Sequence, residues 1–246
     1  MLELKNLTIV IPAYQEEFRL PETLQGLQNF KSTQGLQLVR IFVCDDGSQD
    51  GTAQVVESWQ MKLPSLRLLK APSNEGKGAA IRRGVLSSLR EGISEWILIA
   101  DADMATPWEE VDKLFLAALN ERREFAIGSR SIRGSQIRVR QNPIRELLGK
   151  TFNRLVKILS GLPHQDTQCG FKLISTSALR TWIHETRVDR FAWDVEYLIL
   201  ARSHGFLAVE VPVRWEHREG SKISILRDGL EMVWRVVMIR LRSWFL

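Results

Sequence analysis

Cysteine is scarce: the chain has two, Cys44 and Cys169. Two thiols cannot build a disulfide scaffold or a four-ligand zinc site, and the four His are scattered, so a reduced, cytoplasmic setting is the default. No stretch of about 18–20 uncharged apolar residues occurs, which argues against a standard transmembrane helix and a polytopic membrane protein. No signal peptide is expected either. Met1 to Lys5 carries an acid, Glu3, and the apolar run Leu7–Ile11 is too short for a secretory leader. Internal repeats and low-complexity segments are missing as well.

What is present fits an enzyme-sized α/β unit. The 246 residues suit one α/β domain, or a domain with a helical appendage. With 44% hydrophobic and 26% charged residues, a sizeable core can form and global disorder is excluded. The net charge of +5 and pI of about 9.4 favour an anionic partner.

The first half alternates short apolar runs with helical patterns. Strands are expected at Leu7–Ile11, Val39–Cys44, Leu66–Leu69, Trp96–Ala100 and Phe125–Ile127. Between them, Leu20–Phe30, Thr52–Trp59 and Ala79–Leu89 read as helices. Thr106-Pro-Trp-Glu109 reads as a further helix start, with Thr as N-cap, Pro at the first position and Glu at the third. Strands that are apolar throughout and separated by helices indicate a mostly parallel sheet covered on both faces. The second half is basic between Gly128 and Lys157, where Glu146 is the only acid. It continues with helices expected at Pro143–Leu159 and Trp193–His204. Leu207–Trp215 reads as a strand that tolerates Pro212 only at an edge or bend. The tail, Asp228–Leu246, is amphipathic.

Ligands of doubly wound sheets bind beyond the carboxyl ends of the strands. Polar residues gather at those ends: Pro12-Ala-Tyr-Gln-Glu-Glu17, Asp45-Asp-Gly-Ser-Gln-Asp50, Asp101-Ala-Asp103 and Gly128-Ser-Arg130. Asp101 and Asp103, two residues apart, can face one side and share a hard divalent cation with substrate phosphates. The competing reading is a solvated acidic turn capping the next helix. Asn74-Glu-Gly-Lys-Gly78 lacks the glycine and the hydroxyl residue of a Walker A loop, yet it could place Lys77 near an anion.

Five of these segments, residues 11–16, 44–52, 74–80, 101–103 and 128–130, resemble the ordered motifs of family 2 glycosyltransferases with the GT-A fold. Asp166-Thr-Gln-Cys-Gly-Phe-Lys172, Trp193-Asp-Val-Glu196 and Glu219-Gly-Ser-Lys222 are similar to the dolichyl-phosphate β-glucosyltransferase branch, with dolichyl-phosphate mannose synthase as a near relative. The resemblance spans nearly the whole chain. It implies a GT-A domain over 1–227, with 1–130 binding the nucleotide sugar and 131–227 the acceptor, followed by an amphipathic helix over 228–246.

It further implies that Pro12, Tyr14 and Glu16 cradle a nucleoside, that Val43 and Asp45 complete the base pocket, and that Ala102 lies with them on the donor side. Asp101 and Asp103 would bind the donor diphosphate through Mg²⁺ or Mn²⁺, and Lys222 would close over it. Arg130 would hold the acceptor phosphate, with Arg145, Asp166 and Gln168 on the same side. Ala105 stands where mannose synthase relatives often carry Gln, a departure that agrees better with the glucosyl branch. Asp103, Asp194, Arg130 and Lys222 are the candidate catalytic groups, Asp194 as a base if the acceptor is a hydroxyl. Asp166 and Asp194 could equally be a turn residue and an exposed helical acid. Cys169 reads as a packing residue, since no helix start or His marks it as a nucleophile.

The basic block has only Phe152 as aromatic interleaving, which disfavours nucleic acid. The tail suits a membrane interface, where charge and apolar burial add, or else packing on the core. The expectation is therefore an inverting, metal-dependent enzyme peripheral to the cytoplasmic membrane face. It would move a hexose onto a polyprenyl phosphate, from UDP-glucose in preference to GDP-mannose. The alternatives are a soluble glycosyltransferase with a small or protein-linked acceptor and a non-catalytic nucleotide-sugar-binding or membrane-surface protein.

Overall fold

The computed structural model describes residues 4–139, 154–216, 218 and 225–242. Seven strands form one sheet: β1 (Lys5–Ala13), β2 (Leu36–Asp45), β3 (Leu66–Lys70), β4 (Trp96–Ile99), β5 (Phe125–Ser129), β7 (Lys172–Ser175) and β8 (Ala208–Pro212). Their order is β3-β2-β1-β4-β7-β5-β8. Every pairing is parallel except those of β7, which runs antiparallel to both β4 and β5. A two-stranded parallel ribbon pairs β6 (Gln136–Val139) with β9 (Arg214–Glu216).

The strands are apolar on both faces because both faces are covered. Leu7, Ile9 and Ile11 of β1 join a core with α1 (Leu20–Asn29), α2 (Thr52–Trp59) and α4 (Glu110–Asn120). Val10, Ile97 and Ile99 face the other core. It is built with α3 (Lys77–Glu91), a helix over 154–160 (α5), α6 (Thr176–Trp182), α7 (Trp193–Ser203) and α8 (Ile225–Arg242). Close approach explains Gly84 of α3: a Cβ there would lie 2.5 Å from Val10 Cγ1 and 2.6 Å from Cys44 Sγ. Helix α3 ends at Gly92, whose φ of 69° gives the left-handed cap and whose N–H bonds the Ser88 carbonyl.

Three expectations change. Thr106 does not cap α4, which starts at Glu110; tight turns in which Glu110, Val111 and Asp112 N–H bond the carbonyls of Pro107, Trp108 and Glu109 lead into it. The run Leu207–Trp215 splits at Val213 into β8 and β9, and Pro212 closes β8 at the sheet edge, where a missing N–H is tolerated. Strand β7, with four residues, and helix α6, with seven, are too short to show a period in the sequence. The helix expected at Pro143–Leu159 falls partly outside the described residues. Helix α8 begins at Ile225, so the boundary expected after 227 lies within its first turn.

Candidate active site

Register brings the motifs to one edge. Val10 of β1 lies beside Ile99 of β4, so Pro12–Glu16 and Asp101–Asp103 leave the sheet side by side. Ala13 pairs with Asp45 and adds Asp45–Asp50. Because β7 is reversed, its first residue, Lys172, sits opposite Ile99 and Ile127. The segment before it, 166–171, therefore arrives at the same edge as the segments that follow the parallel strands.

Two cavities open there with Asp101 and Asp103 in the wall of both. The larger, about 980 Å³ with the open solvent at its mouth counted, is lined by Pro12, Tyr14, Glu16, Asp46, Lys77 and Ala102, and by Arg19, Arg190, Phe191 and Arg218. The segment that follows β1 is tied to the segment that follows β2. Gln15, at φ 54°, donates its N–H to Ser48 Oγ at 2.8 Å, and Glu16 N–H donates to Thr52 Oγ1 at 2.8 Å. The Glu16 carboxylate accepts from Arg19 Nε at 2.5 Å. Asp46 accepts the N–H groups of Glu75 and Gly76 at 3.0 and 2.8 Å, fixing the entry to α3. Gly76 (φ 113°) and Gly78 admit the 188–190 segment; a Cβ on Gly78 would lie 2.3 Å from the Val188 carbonyl.

The carboxylates differ in electrostatic setting. Burial acts to raise Asp101, but Lys77, whose Nζ lies 2.5 Å from its Oδ1, holds it below the usual carboxylate range, with Lys172 and Arg130 adding to the effect. Asp103 is raised, first by burial and then by the Asp101 charge. Its Oδ1 accepts the Ala105 N–H at 3.0 Å. Among the described residues no group of three or more His, Cys, Asp or Glu converges as a metal cage. Two neighbouring carboxylates of which one carries a repulsion cost nonetheless fit a hard divalent cation whose remaining ligands come from a substrate.

The smaller cavity, about 460 Å³ with open solvent counted, shares this wall and is lined by Met104, Ala105, Thr106, Arg130, Gln168 and Trp215, among others. Arg130 is gripped by Asp166: Nε donates to Oδ2 at 2.7 Å and Nη2 to Oδ1 at 2.9 Å, a bidentate pair with the carboxylate fully buried. Burial alone would raise Asp166, yet Arg130 holds it below the usual range, and Asp166 in turn holds Arg130 more firmly protonated. The guanidinium also lies 5.5 Å from the Trp215 ring centroid. Trp215 is placed by its neighbours, since Arg214 Nε donates to the buried Glu110 at 2.5 Å and Glu216 N–H to the Ala105 carbonyl at 2.8 Å. Gly170 lies against Asp101, where a Cβ would come within 2.3 Å of Oδ2.

Pro12, Tyr14, Glu16, Asp101, Ala102 and Asp103 thus line the larger cavity, and Arg130 and Gln168 the smaller, with Asp166 behind Arg130. Val43 and Asp45 line neither. Val43 is core, and Asp45 is buried, its Oδ1 accepting the Ser48 N–H at 3.0 Å. Asp194 is buried, where burial raises its carboxyl to about 6 while Lys172 and Lys77 pull it down. Lys222 and Arg145 lie outside the described residues. Sequence reasoning missed Asp46, the residue just past the end of β2, which lines the larger cavity while Asp45 does not. It also missed Arg19, Arg190, Phe191, Arg218 and Trp215, which line the cavities without belonging to a motif at a strand end.

Comparison with known proteins bears on this arrangement. The family described as Glycosyl transferase family 2 matches residues 8–182. A human dolichyl-phosphate β-glucosyltransferase is 36% identical over 250 residues, covering 97% of this chain and 76% of that protein. Glucosyl-3-phosphoglycerate synthase from Mycobacterium tuberculosis, solved with Mn²⁺, UDP and glucosyl-3-phosphoglycerate, has a TM-score of 0.64 at 16% identity, covering 97% of this chain and 80% of its own. A Pyrobaculum calidifontis mannosyltransferase, solved with GDP-Man and Mn²⁺, has a TM-score of 0.57 at 14% identity, covering 98% and 74%. At these identities the two structures speak to the fold alone, which is that of GT-A glycosyltransferases.

Proposed function

The chain belongs to glycosyltransferase family 2 and is a glycosyltransferase, and from that premise we propose that it transfers glucose from UDP-glucose to a polyprenyl phosphate with inversion at the anomeric carbon. The observation that carries the reading is the pair of cavities meeting at Asp101 and Asp103, one ringed by an aromatic, acids and an anion-ready helix start, the other by a held arginine. The relative's name supplies the sugar and the lipid phosphate.

In this reading the nucleoside lies along Pro12, Tyr14 and Asp46, and the diphosphate faces Lys77 and the N-terminus of α3, where oriented N–H groups favour anions. Mg²⁺ or Mn²⁺ held by Asp101 and Asp103 would supply Lewis-acid stabilisation of the negative charge that builds on the leaving diphosphate. Lys77 adds a cation to the same region, and Lys222 is proposed to close over it. The acceptor phosphate docks at Arg130, which Asp166 and Trp215 hold still, with Gln168 and Arg145 assigned to the same side. Its oxygen attacks the anomeric carbon as the bond to the diphosphate oxygen breaks, and the electron pair leaves with the nucleoside diphosphate. A phosphate is already ionised at neutral pH, so the step needs positioning more than a base. Asp194 would matter as a base only for a hydroxyl acceptor.

The lipid acceptor implies a peripheral place on the cytoplasmic membrane face. Among the described residues no helix is long and apolar enough to cross a membrane. Helix α8 buries Val236 and Ile239 in the core while Trp234, Met238 and Leu241 stand exposed beside Arg235. Both sequence readings of the tail, core packing and interface contact, therefore have a face of this helix. The test is a transfer assay with a panel of labelled nucleotide sugars, divalent cation and a short polyprenyl phosphate. Labelled lipid from UDP-glucose alone is expected. Donor turnover without lipid product across the panel would discard the lipid acceptor and favour a soluble one.

A further inference from the structure

Lys172 is an anomaly of the central sheet. It is the first residue of β7, wedged between β4 and β5, and it is fully buried. It faces the same core as Ile174, two residues on, where an apolar side chain is the ordinary occupant. A buried ammonium is costly unless its hydrogens and charge are answered. Here they are answered by the segment that leads into the strand: Nζ donates to the Thr167 carbonyl at 3.1 Å and to the Cys169 carbonyl. It lies 5.2 Å from the Trp193 ring centroid, and Asp194, Asp166 and Asp101 surround it electrostatically. Burial lowers its proton affinity while those acids oppose the change.

The segment so held carries the acceptor side of the site. Asp166 grips Arg130, Gln168 lines the smaller cavity and donates to Met232 Sδ of α8 at 2.8 Å, and Gly170 lies against the Asp101 carboxylate. None of these groups is fixed by a regular ladder, because 166–171 precedes the strand. Two carbonyls of this turn converge on one interior cation, whereas the donor cavity is fixed by its own bonds to Ser48, Thr52 and Asp46.

We propose that Lys172 is a positioning residue for transfer: by binding the Thr167 and Cys169 carbonyls it sets the 166–170 turn, and through that turn the Asp166–Arg130 grip on the acceptor phosphate. This rests on the acceptor reading above. It assigns Lys172 no contact with substrate. It separates the two halves of the site, since loss of the ammonium acts first on acceptor use and turnover, while on the donor side Asp101 keeps its stronger partner, Lys77.

The experiment compares full-length wild type with Lys172→Met, close in length and neutral, and Lys172→Arg, which keeps a cation able to donate to both carbonyls. Donor affinity, acceptor KM and kcat are measured in each, with thermal melts. Lys172→Met should bind UDP-glucose within about threefold of wild type while transfer falls about 10²-fold, the order expected when reacting groups are displaced by an ångström. Lys172→Arg should recover at least a tenth of wild-type turnover. Combining Lys172→Met with Asp166→Asn should cost little more than the worse single change, because both act through one turn. Wild-type acceptor KM and kcat in Lys172→Met, or multiplicative effects in the double variant, would overturn the inference. So would equal loss of donor and acceptor binding. Should Lys172→Met fail to fold, a folded Lys172→Arg without recovered turnover overturns it as well. A wild type that yields no lipid product defeats the acceptor reading instead, so the two failures are distinguishable.

Discussion

In the half proposed to bind the donor, 1–130, the polar motifs follow the strands that present them, and their anchoring bonds join the segments that leave neighbouring strands, such as Gln15 to Ser48 and Asp46 to Gly76. In the half proposed to take the acceptor the anchors are buried charges: Asp166 meets Arg130 and Arg214 meets Glu110 across long stretches of chain, and Lys172 holds the turn just before it. The first construction tolerates surface change because the backbone ladder carries it. The second depends on each partner, since removing one ion of a buried pair leaves the other uncompensated.

That contrast can be broken at several strengths. Asp103→Ala should lower both donor turnover and transfer by about 10³-fold without moving the melting temperature, and chelation of divalent cations should reproduce the loss in wild type. An Asp103→Ala enzyme still active with chelator present would remove the metal from the mechanism. Asp166→Asn should be worse for the fold. It strands Arg130, so denaturant titration should show a stability loss of about 4 kcal/mol, with donor affinity in the remaining folded protein close to wild type.

Asp194→Asn gives a pH signature. The folded carboxyl titrates near 6 and the unfolded one near its ordinary value, so the folded state holds the extra proton between them and wild-type stability contributed by this group falls as pH rises through that window. The variant should therefore gain on wild type by about 3 kcal/mol between pH 4 and pH 7, read from melts at a series of pH values. A constant difference would mean that Lys172 fully offsets the burial. The smallest effect belongs to α8. Trp234→Ser, at a side chain 63% exposed, should weaken sedimentation with anionic vesicles roughly 10-fold and leave the melt alone, whereas Val236→Ser should lower the melt. Unchanged sedimentation would count against the membrane face.

The sequence made the donor half readable because its βα units are local. Apolar runs of five residues, Gly-rich helix entries and polar strand ends recur within about thirty residues, and Leu7–Ile11, Trp96–Ala100 and Asp101–Asp103 fall where that pattern puts them. In the half proposed to take the acceptor, the helix at Trp193–His204 and the apolar run at Leu207–Trp215 were legible, but the site residues were readable only by resemblance. Nothing in the order of Lys172, Leu173, Ile174 and Ser175 says that this strand inserts antiparallel between β4 and β5, and nothing in Arg190 or Trp215 says which cavity they reach. Asp45 and Asp46 show the limit at finer scale: Asp45 ends β2 and Asp46 follows it, and only the fold decides which of these adjacent acids meets the larger cavity.

Sequence by itself determined the class of fold, the edge of the sheet where the polar motifs gather and the two carboxylates among them, because hydrophobic period and strand-end chemistry are properties of neighbouring residues. Only the tertiary structure decided that Asp101 pairs with Lys77, that Arg130 is held by Asp166 and that a lysine sits inside the sheet. Burial sets the cost of each charge, and only the folded chain determines which opposite charge lies close enough to offset it.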